Sequence, residues 1–147
     1  MTQAFRVPDG VLGHVVDLGE VTVTAEMIAA YAAAVHDAAT LARPIVDAPP
    51  TFCLTLRRGF TPELPLPPNL FGVYGGHDLE FHQPLRAGAT YRITARIVDV
   101  YEKSGRSGAL TIVVREALVN DSTGQLAARV TERQIIRERA KNEGGIS

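Results

Sequence analysis

Apolar and polar positions divide the chain into two textures. From Thr24 to about Thr61 it is alanine-rich with apolar residues at helical spacing, and from Gly75 to Ile136 it is rich in valine, isoleucine and threonine with short glycine-bearing breaks. Thr24 is placed to cap a first helix, with Glu26 in the first turn where the helix dipole favours an acid. Met27, Ile28, Tyr31, Ala34, Val35 and Ala38 then form one stripe suited to packing on a sheet. Pro49 and Pro50 announce a second helix, since proline suits a first helical turn and lacks the N–H that would go unpaired there. It is predicted from about Pro50 to Arg58, stopping at Gly59, with Phe52, Cys53, Leu56 and Phe60 on its buried side. Pro62, Pro65, Pro67 and Pro68 make Thr61 to Asn69 a stiff extended loop.

Four strand-like runs follow. From Asp78 to His82, alternation puts Asp78, Glu80 and His82 on one face and His77, Leu79 and Phe81 on the other, and Pro84 ends the run. Tyr91, Ile93, Ala95 and Ile97 share a face, but the apolar phase slips to Val98 and Val100, which predicts a bulge near Ile97. The run from Ala109 to Asn120 is apolar on both faces through Val114, so its first half is covered on both sides. Asn120-Asp121-Ser122-Thr123-Gly124 signals a hairpin into a last strand, Gln125 to Ile136. These runs read as an antiparallel meander needing helices over one face, an α+β domain of residues 1–137 with a polar tail over 138–147.

Composition narrows the classes of function. The 147 residues fit one ordinary domain, and 15 basic against 16 acidic residues leave no positive field suited to nucleic acid. No apolar run approaches the roughly 20 residues that cross a bilayer, and Met1 to Val7 does not read as a secretory signal. The single cysteine, Cys53, excludes an intrachain disulfide and fits a reducing cytoplasm as a buried thiol.

Candidate chemistry is sparse. His36 and Asp37, directly after the first helix, resemble an acid–base pair, against the plainer reading of a solvated helix end. His77, Asp78, Glu80 and His82 carry metal-ligating groups, but strand alternation turns His77 away from the other three, so no metal is expected. Arg57, Arg58, Lys103 and Arg106 suit an anionic carrier group or merely charged surfaces. Gly72, Gly75 and Gly76 lack the lysine and following helix of a phosphate-binding loop.

Three segments together carry a resemblance. Tyr31 to Asp37, Asp47 to Phe52, and Gly76-His77-Asp78-Leu79-Glu80-Phe81-His82-Gln83-Pro84-Leu85-Arg86-Ala87-Gly88 are similar to the MaoC-like dehydratases of the hot-dog fold, most of all to their N-terminal, FAS1-type branch. That resemblance spans about Val15 to Arg137. It implies an antiparallel sheet wrapped around a central helix, here the one starting near Pro50, and domains that pair side by side as homodimers or heterodimers. It also implies reversible hydration of enoyl thioesters of coenzyme A or acyl carrier protein, with no cofactor. An aspartate and a histidine handle the water, and a backbone N–H at the central helix start polarises the thioester carbonyl.

The sequence departs from that catalytic pattern. Asp37 matches the aspartate of D-x-N-P-x-H, but Ala42 stands where the histidine belongs, and His36 replaces the preceding glycine. If the family's A-H-G aligns with Ala48-Pro49-Pro50, the glycine N–H is replaced by a proline that has none. The expectation is an acyl-thioester-binding subunit of an (R)-specific hydratase or dehydratase that needs a catalytic MaoC-like partner. Pro49, Pro50, Thr51 and Phe52, with Tyr74 and His77 near them, would hold the thioester, and Asp37 and His36 are the catalytic candidates. The alternatives are a self-sufficient homodimeric hydratase using Asp37 with His36, a thioesterase using Asp37 or Asp47, and a non-catalytic acyl-thioester scaffold.

Overall fold

A computed structural model describes residues 5–56, 59–106 and 108–139. Tyr91, Ile93, Ala95 and Ile97 are all buried on one face of β3 (Thr90–Gly105), which the alternation of that strand requires. The strand slips register between Ile97 and Asp99, where the apolar phase changes. β4 (Gly108–Asn120) buries consecutive residues Thr111, Ile112 and Val113, as a strand covered on both sides must. β5 (Leu126–Glu138) follows a tight hairpin held by Asp121. Its Oδ1 accepts from the Thr123 hydroxyl at 2.6 Å, the Thr123 N–H at 2.9 Å and the Gln125 N–H at 3.0 Å. Oδ2 accepts from Gln83 Nε2 at 2.8 Å, which ties the hairpin to the segment just after Phe81.

Two strands complete the sheet. β1 (Val16–Thr22) pairs with β3, an element the periodicity did not announce because a register shift between Asp17 and Gly19 breaks its alternation. β2 (Leu70–Phe81) pairs with β5 along its whole length and begins eight residues before the predicted run at Asp78. Gly72, Gly75 and Gly76 obscured that first half. A Cβ at Gly72 would overlap the end of the Gln134 side chain, which would have to turn aside. Gly76, at φ +108, lies in the register shift between Tyr74 and His77. The antiparallel order is β1-β3-β4-β5-β2, so β1 and β2 are the edges.

Helical segments cover one face. α1 (Ala25–Ala34) starts at Thr24, whose Oγ1 accepts from the Met27 N–H at 3.1 Å, and buries Ile28 and Ala32. It ends four residues short of the predicted stripe. His36 adopts φ +58, its N–H bonds the Ala33 carbonyl, and the Asp37 N–H bonds the Ala32 carbonyl at 2.8 Å, a Schellman stop. Val35 and Ala38 are consequently exposed, and Asp37 caps a new one-turn helix, α2 (Ala38–Leu41). Pro50–Thr55 is a 3-10 helix rather than an α-helix through Arg58, and Arg57 and Arg58 lie outside the described residues. Prolines at its start and Gly59 at φ +59 beyond its end leave room for little more than the short run that 3-10 geometry supports. Phe52, Cys53 and Leu56 nonetheless join Ile93, Ala95, Ala117, Val119, Ala128 and Val130 in the main core. A smaller cluster of Leu64, Ile97, Val113 and Ile136 fills the space under the proline-rich loop.

Two outcomes test this local chemistry. Replacing His36 with glycine removes the cost of a left-handed side-chain-bearing residue and should stabilise the chain by about 1 kcal/mol, raising its melting temperature by about 2–4 °C. An unchanged or lowered melting temperature contradicts the strained stop. The hydrogen bonds from Thr123 and Gln83 hold the Asp121 carboxyl down at about 2 against an ordinary 3.8. A folded value below the unfolded one stabilises above 3.8, and that stabilisation disappears as the pH falls through about 2. The melting-temperature gap between the native chain and Asp121→Asn should therefore be full at neutral pH and shrink over that interval. A gap independent of pH contradicts it.

Candidate functional site

The turn before the 3-10 helix is the point where separate elements converge. Residues 46–48 run beside 85–87, with the Ala48 N–H bonded to the Leu85 carbonyl at 2.7 Å and the Ala87 N–H to the Val46 carbonyl at 2.8 Å. Arg86 faces Asp47 at 3.7 Å, an exposed pair worth little energetically but consistent with the register. This pairing delivers Pro49 and Pro50 to the surface between two shallow cavities. One, of about 280 Å³, is lined by Thr40, Arg43 and Asp47 on one side and Pro49 and Pro50 on the other. The second, of about 240 Å³, lies between Pro49, Pro50 and the Phe81-to-Leu85 corner, including Gln83.

Behind the turn is a larger, mostly apolar cavity of about 520 Å³. Leu18, Met27, Tyr31, Phe52, Leu56 and Ile93 line it, so α1, the 3-10 helix, β1 and β3 all contribute. Phe52 meets Tyr31 edge to face at 5.6 Å between ring centroids, and the Tyr31 hydroxyl is hydrogen-bonded to Thr51 Oγ1. Tyr31 was legible only as part of a helical stripe; its position four residues before Val35 gave no sign of the hydroxyl's partner. Pro49 and Pro50 bring no N–H to this turn, and the Phe52 N–H is bonded to the Pro49 carbonyl at 3.0 Å.

Asp37 lies outside the lining of that cavity, next to the 280 Å³ one, and is already engaged. Oδ1 accepts from the Thr40 N–H at 3.1 Å and Oδ2 from the Thr40 hydroxyl at 2.6 Å. Those bonds, first the hydroxyl and then the N–H, hold its carboxyl below the ordinary 3.8, with a smaller contribution from Arg43. A carboxylate stabilised in this way is a poor proton acceptor near neutral pH. Thr40 is buried and lines the 280 Å³ cavity, so the capped aspartate is one residue removed from its wall. His36 is exposed at the helix stop.

The remaining predicted residues lie elsewhere. Tyr74 and His77 flank the β2 bulge with ring centroids 5.6 Å apart, and neither shares a described cavity with Pro49–Phe52. Phe81, on the same strand, shares the 240 Å³ cavity with the prolines. Glu80 pairs with His82 at 3.0 Å and Arg129 at 3.1 Å, and Asp78 pairs with Arg133 at 2.9 Å. The His82 bond is the main cause of the lowered Glu80 carboxyl. Among the described residues no group of three or more histidine, cysteine or acidic side chains is placed to hold a metal ion. Lys103 lies 5.9 Å from the Tyr101 ring near the β3–β4 hairpin, and Cys53 is buried in the core. No described helix is long and apolar enough to cross a membrane.

Comparison with known proteins places this geometry. The chain is 42% identical over 57 residues to mesaconyl-C(4)-CoA hydratase of Chloroflexus aurantiacus, a match covering 39% of this chain and 19% of that protein's length. Its fold is similar to a chain of the HadBC (3R-hydroxyacyl-ACP dehydratase) complex of Mycobacterium tuberculosis, with TM-score 0.62 and 20% identity over 85% of this chain and 96% of that one. It is also similar to a chain of the ChsH1-ChsH2 complex of the same organism, with TM-score 0.66 and 15% identity over 89% and 86%. The family described as the FAS1-like dehydratase domain region matches residues 10–130, and the chain belongs to this family of MaoC-like hot-dog dehydratases.

Proposed function

We propose that this chain is the acyl-thioester-binding subunit of an (R)-specific enoyl-thioester hydratase or 3-hydroxyacyl-thioester dehydratase, and that a second MaoC-like subunit supplies the acid–base chemistry. The observation that carries the reading is the engagement of Asp37 by Thr40 on the wall of the 280 Å³ cavity next to Pro49 and Pro50, with a mostly apolar cavity of about 520 Å³ behind that turn. The cavity has the size and lining of a small-molecule site. Glu20 on its wall is paired with Arg92 at 3.0 Å, Asp37 is committed to capping α2, and Ala42 stands at the position of the family's histidine.

An acyl group seated against Phe52, Leu56 and Ile93 would place its thioester near the Pro49–Thr51 turn. That turn, with Pro49 and Pro50, lacks the N–H the family uses to polarise the carbonyl. Loss of one positioned acid–base group costs about 10²–10⁴-fold in rate, so binding without turnover is the physical consequence. Side-by-side pairing repairs the deficit. Edge strand β2 leaves Val73, Tyr74 and Phe81 39%, 49% and 42% exposed, and Phe81 shares the 240 Å³ cavity with the prolines. Tyr74 and His77 would then act at the subunit boundary, where a partner brings its own residues to the thioester. The relatives support this division of labour: two structural neighbours are named as complexes of paired chains, and the curated relative is named as a CoA-thioester hydratase.

The purified chain alone should not hydrate crotonyl or longer enoyl thioesters above background. Co-expressed with a MaoC-like subunit that retains D-x-N-P-x-H, it should yield a complex active in hydration. Hydration by the chain alone that disappears in Asp37→Asn contradicts the subunit reading and establishes a self-sufficient enzyme. Thioester hydrolysis without hydration contradicts it in favour of a thioesterase, and ligand binding with no turnover under any pairing reduces it to a scaffold.

A further inference from the structure

Two hydroxyls meet where the 520 Å³ cavity joins the proline turn. Tyr31 sets its ring on the cavity wall, edge to face with Phe52, and its hydroxyl is hydrogen-bonded to Oγ1 of Thr51, the residue after Pro50 in the 3-10 helix. Thr51 is exposed and Tyr31 half-buried, so the pair is open to an incoming molecule. Among the described residues neither hydroxyl has a further hydrogen-bond partner.

That pairing leaves one donor over. Each hydroxyl carries a single hydrogen and accepts through two lone pairs, so a bond between the two consumes one hydrogen and keeps the other free. A phenol is the stronger donor and an aliphatic hydroxyl the stronger acceptor, which sets the direction: Tyr31 donates to Thr51, and Thr51 retains its hydrogen. A hydroxyl that accepts in this way is itself a better donor, because hydrogen bonds in a chain polarise one another. Thr55, later in the same helix, shows the alternative fate of such a group: its hydroxyl is committed to the Phe52 carbonyl at 2.8 Å. Thr51 has no such bond and is held by Tyr31 instead.

The position gives the free hydrogen its use. Pro49 and Pro50 bring no N–H to the turn, and that of Phe52 is bonded to the Pro49 carbonyl at 3.0 Å. We propose that the Thr51 hydroxyl, oriented by Tyr31, donates to the carbonyl oxygen of the bound thioester. This rests on the thioester reading above and names the group that recognises the carbonyl in it. Side-chain hydroxyls stabilise a polarised carbonyl oxygen as backbone N–H groups do. Tyr31 does not touch the carbonyl; it is a positioning residue that fixes the Thr51 hydroxyl and strengthens it.

The test titrates the full chain with hexanoyl-CoA and with S-hexyl-CoA, a thioether of similar shape that lacks the carbonyl. The native chain should bind the thioester about fivefold more tightly, the margin of one neutral hydrogen bond, and the carbonyl carbon resonance of hexanoyl-CoA should move downfield on binding. Thr51→Val keeps the backbone N–H and removes only the hydroxyl, so both the preference and the downfield shift should disappear. Thr51→Ser should restore both, and Tyr31→Phe, which retains the ring against Phe52, should weaken both without abolishing binding. Should a variant not fold, the resonance in the native chain still decides. Binding of neither compound removes the thioester reading and the proposal with it. Binding of both with equal affinity, an unmoved carbonyl resonance, or a preference that survives Thr51→Val overturns the proposal alone and leaves the thioester reading standing.

Discussion

Burial of Phe52, Cys53 and Leu56 against the β3–β5 face is the contact on which the other features depend. An antiparallel sheet can leave one face in water, but β3, β4 and β5 present too much apolar surface to do so, and the short segment after Pro49 is what covers their centre. Fully burying a side chain such as Phe52 contributes about 1.5–3 kcal/mol, more than any exposed ion pair on this molecule can offer. Because that segment is a 3-10 helix of six residues, it leaves a cavity of about 520 Å³ between itself, α1, β1 and β3. The same shortness that leaves the core thinly covered creates the volume a ligand can occupy.

The two prolines at its head have a double effect. They fix the backbone entering the 3-10 helix, and they bring no N–H to that turn, where the proposed reading seats the thioester carbonyl. Asp37 shows a parallel trade. A Schellman stop at His36 turns the chain sharply, and the aspartate's carboxylate is used to start the next helix. In both places a group that could serve chemistry serves the backbone instead, which is the basis of the proposed binding role.

Strands whose alternation is unbroken were legible from sequence, and so were features with a local chemical signature. The phase slip after Ile97 appears as a register shift, the doubly apolar start of β4 is buried on both faces, and Asp121 closes its hairpin. β1 and the first half of β2 were not legible, because bulges and glycines interrupt the period that identifies a strand. The end of α1 was missed since nothing in Val35-His36 marks a left-handed residue as a glycine would. Within the site, the proline turn and Phe52 could be named in advance from the order of residues. Tyr31 against Thr51 depends on long-range packing, which periodicity does not encode.

Whether the Asp37 carboxylate is a structural cap or a proton acceptor separates a binding subunit from a self-sufficient enzyme. A residue-specific NMR titration of the Asp37 carboxyl in the isolated chain decides this most directly. Held by the Thr40 hydroxyl and N–H, it should titrate below the ordinary 3.8, and the Thr40 amide should shift with the same midpoint. A carboxyl that titrates well above that value, towards neutrality, would identify Asp37 as a poised base and contradict the conclusion that this chain binds its substrate but relies on a partner for the chemistry.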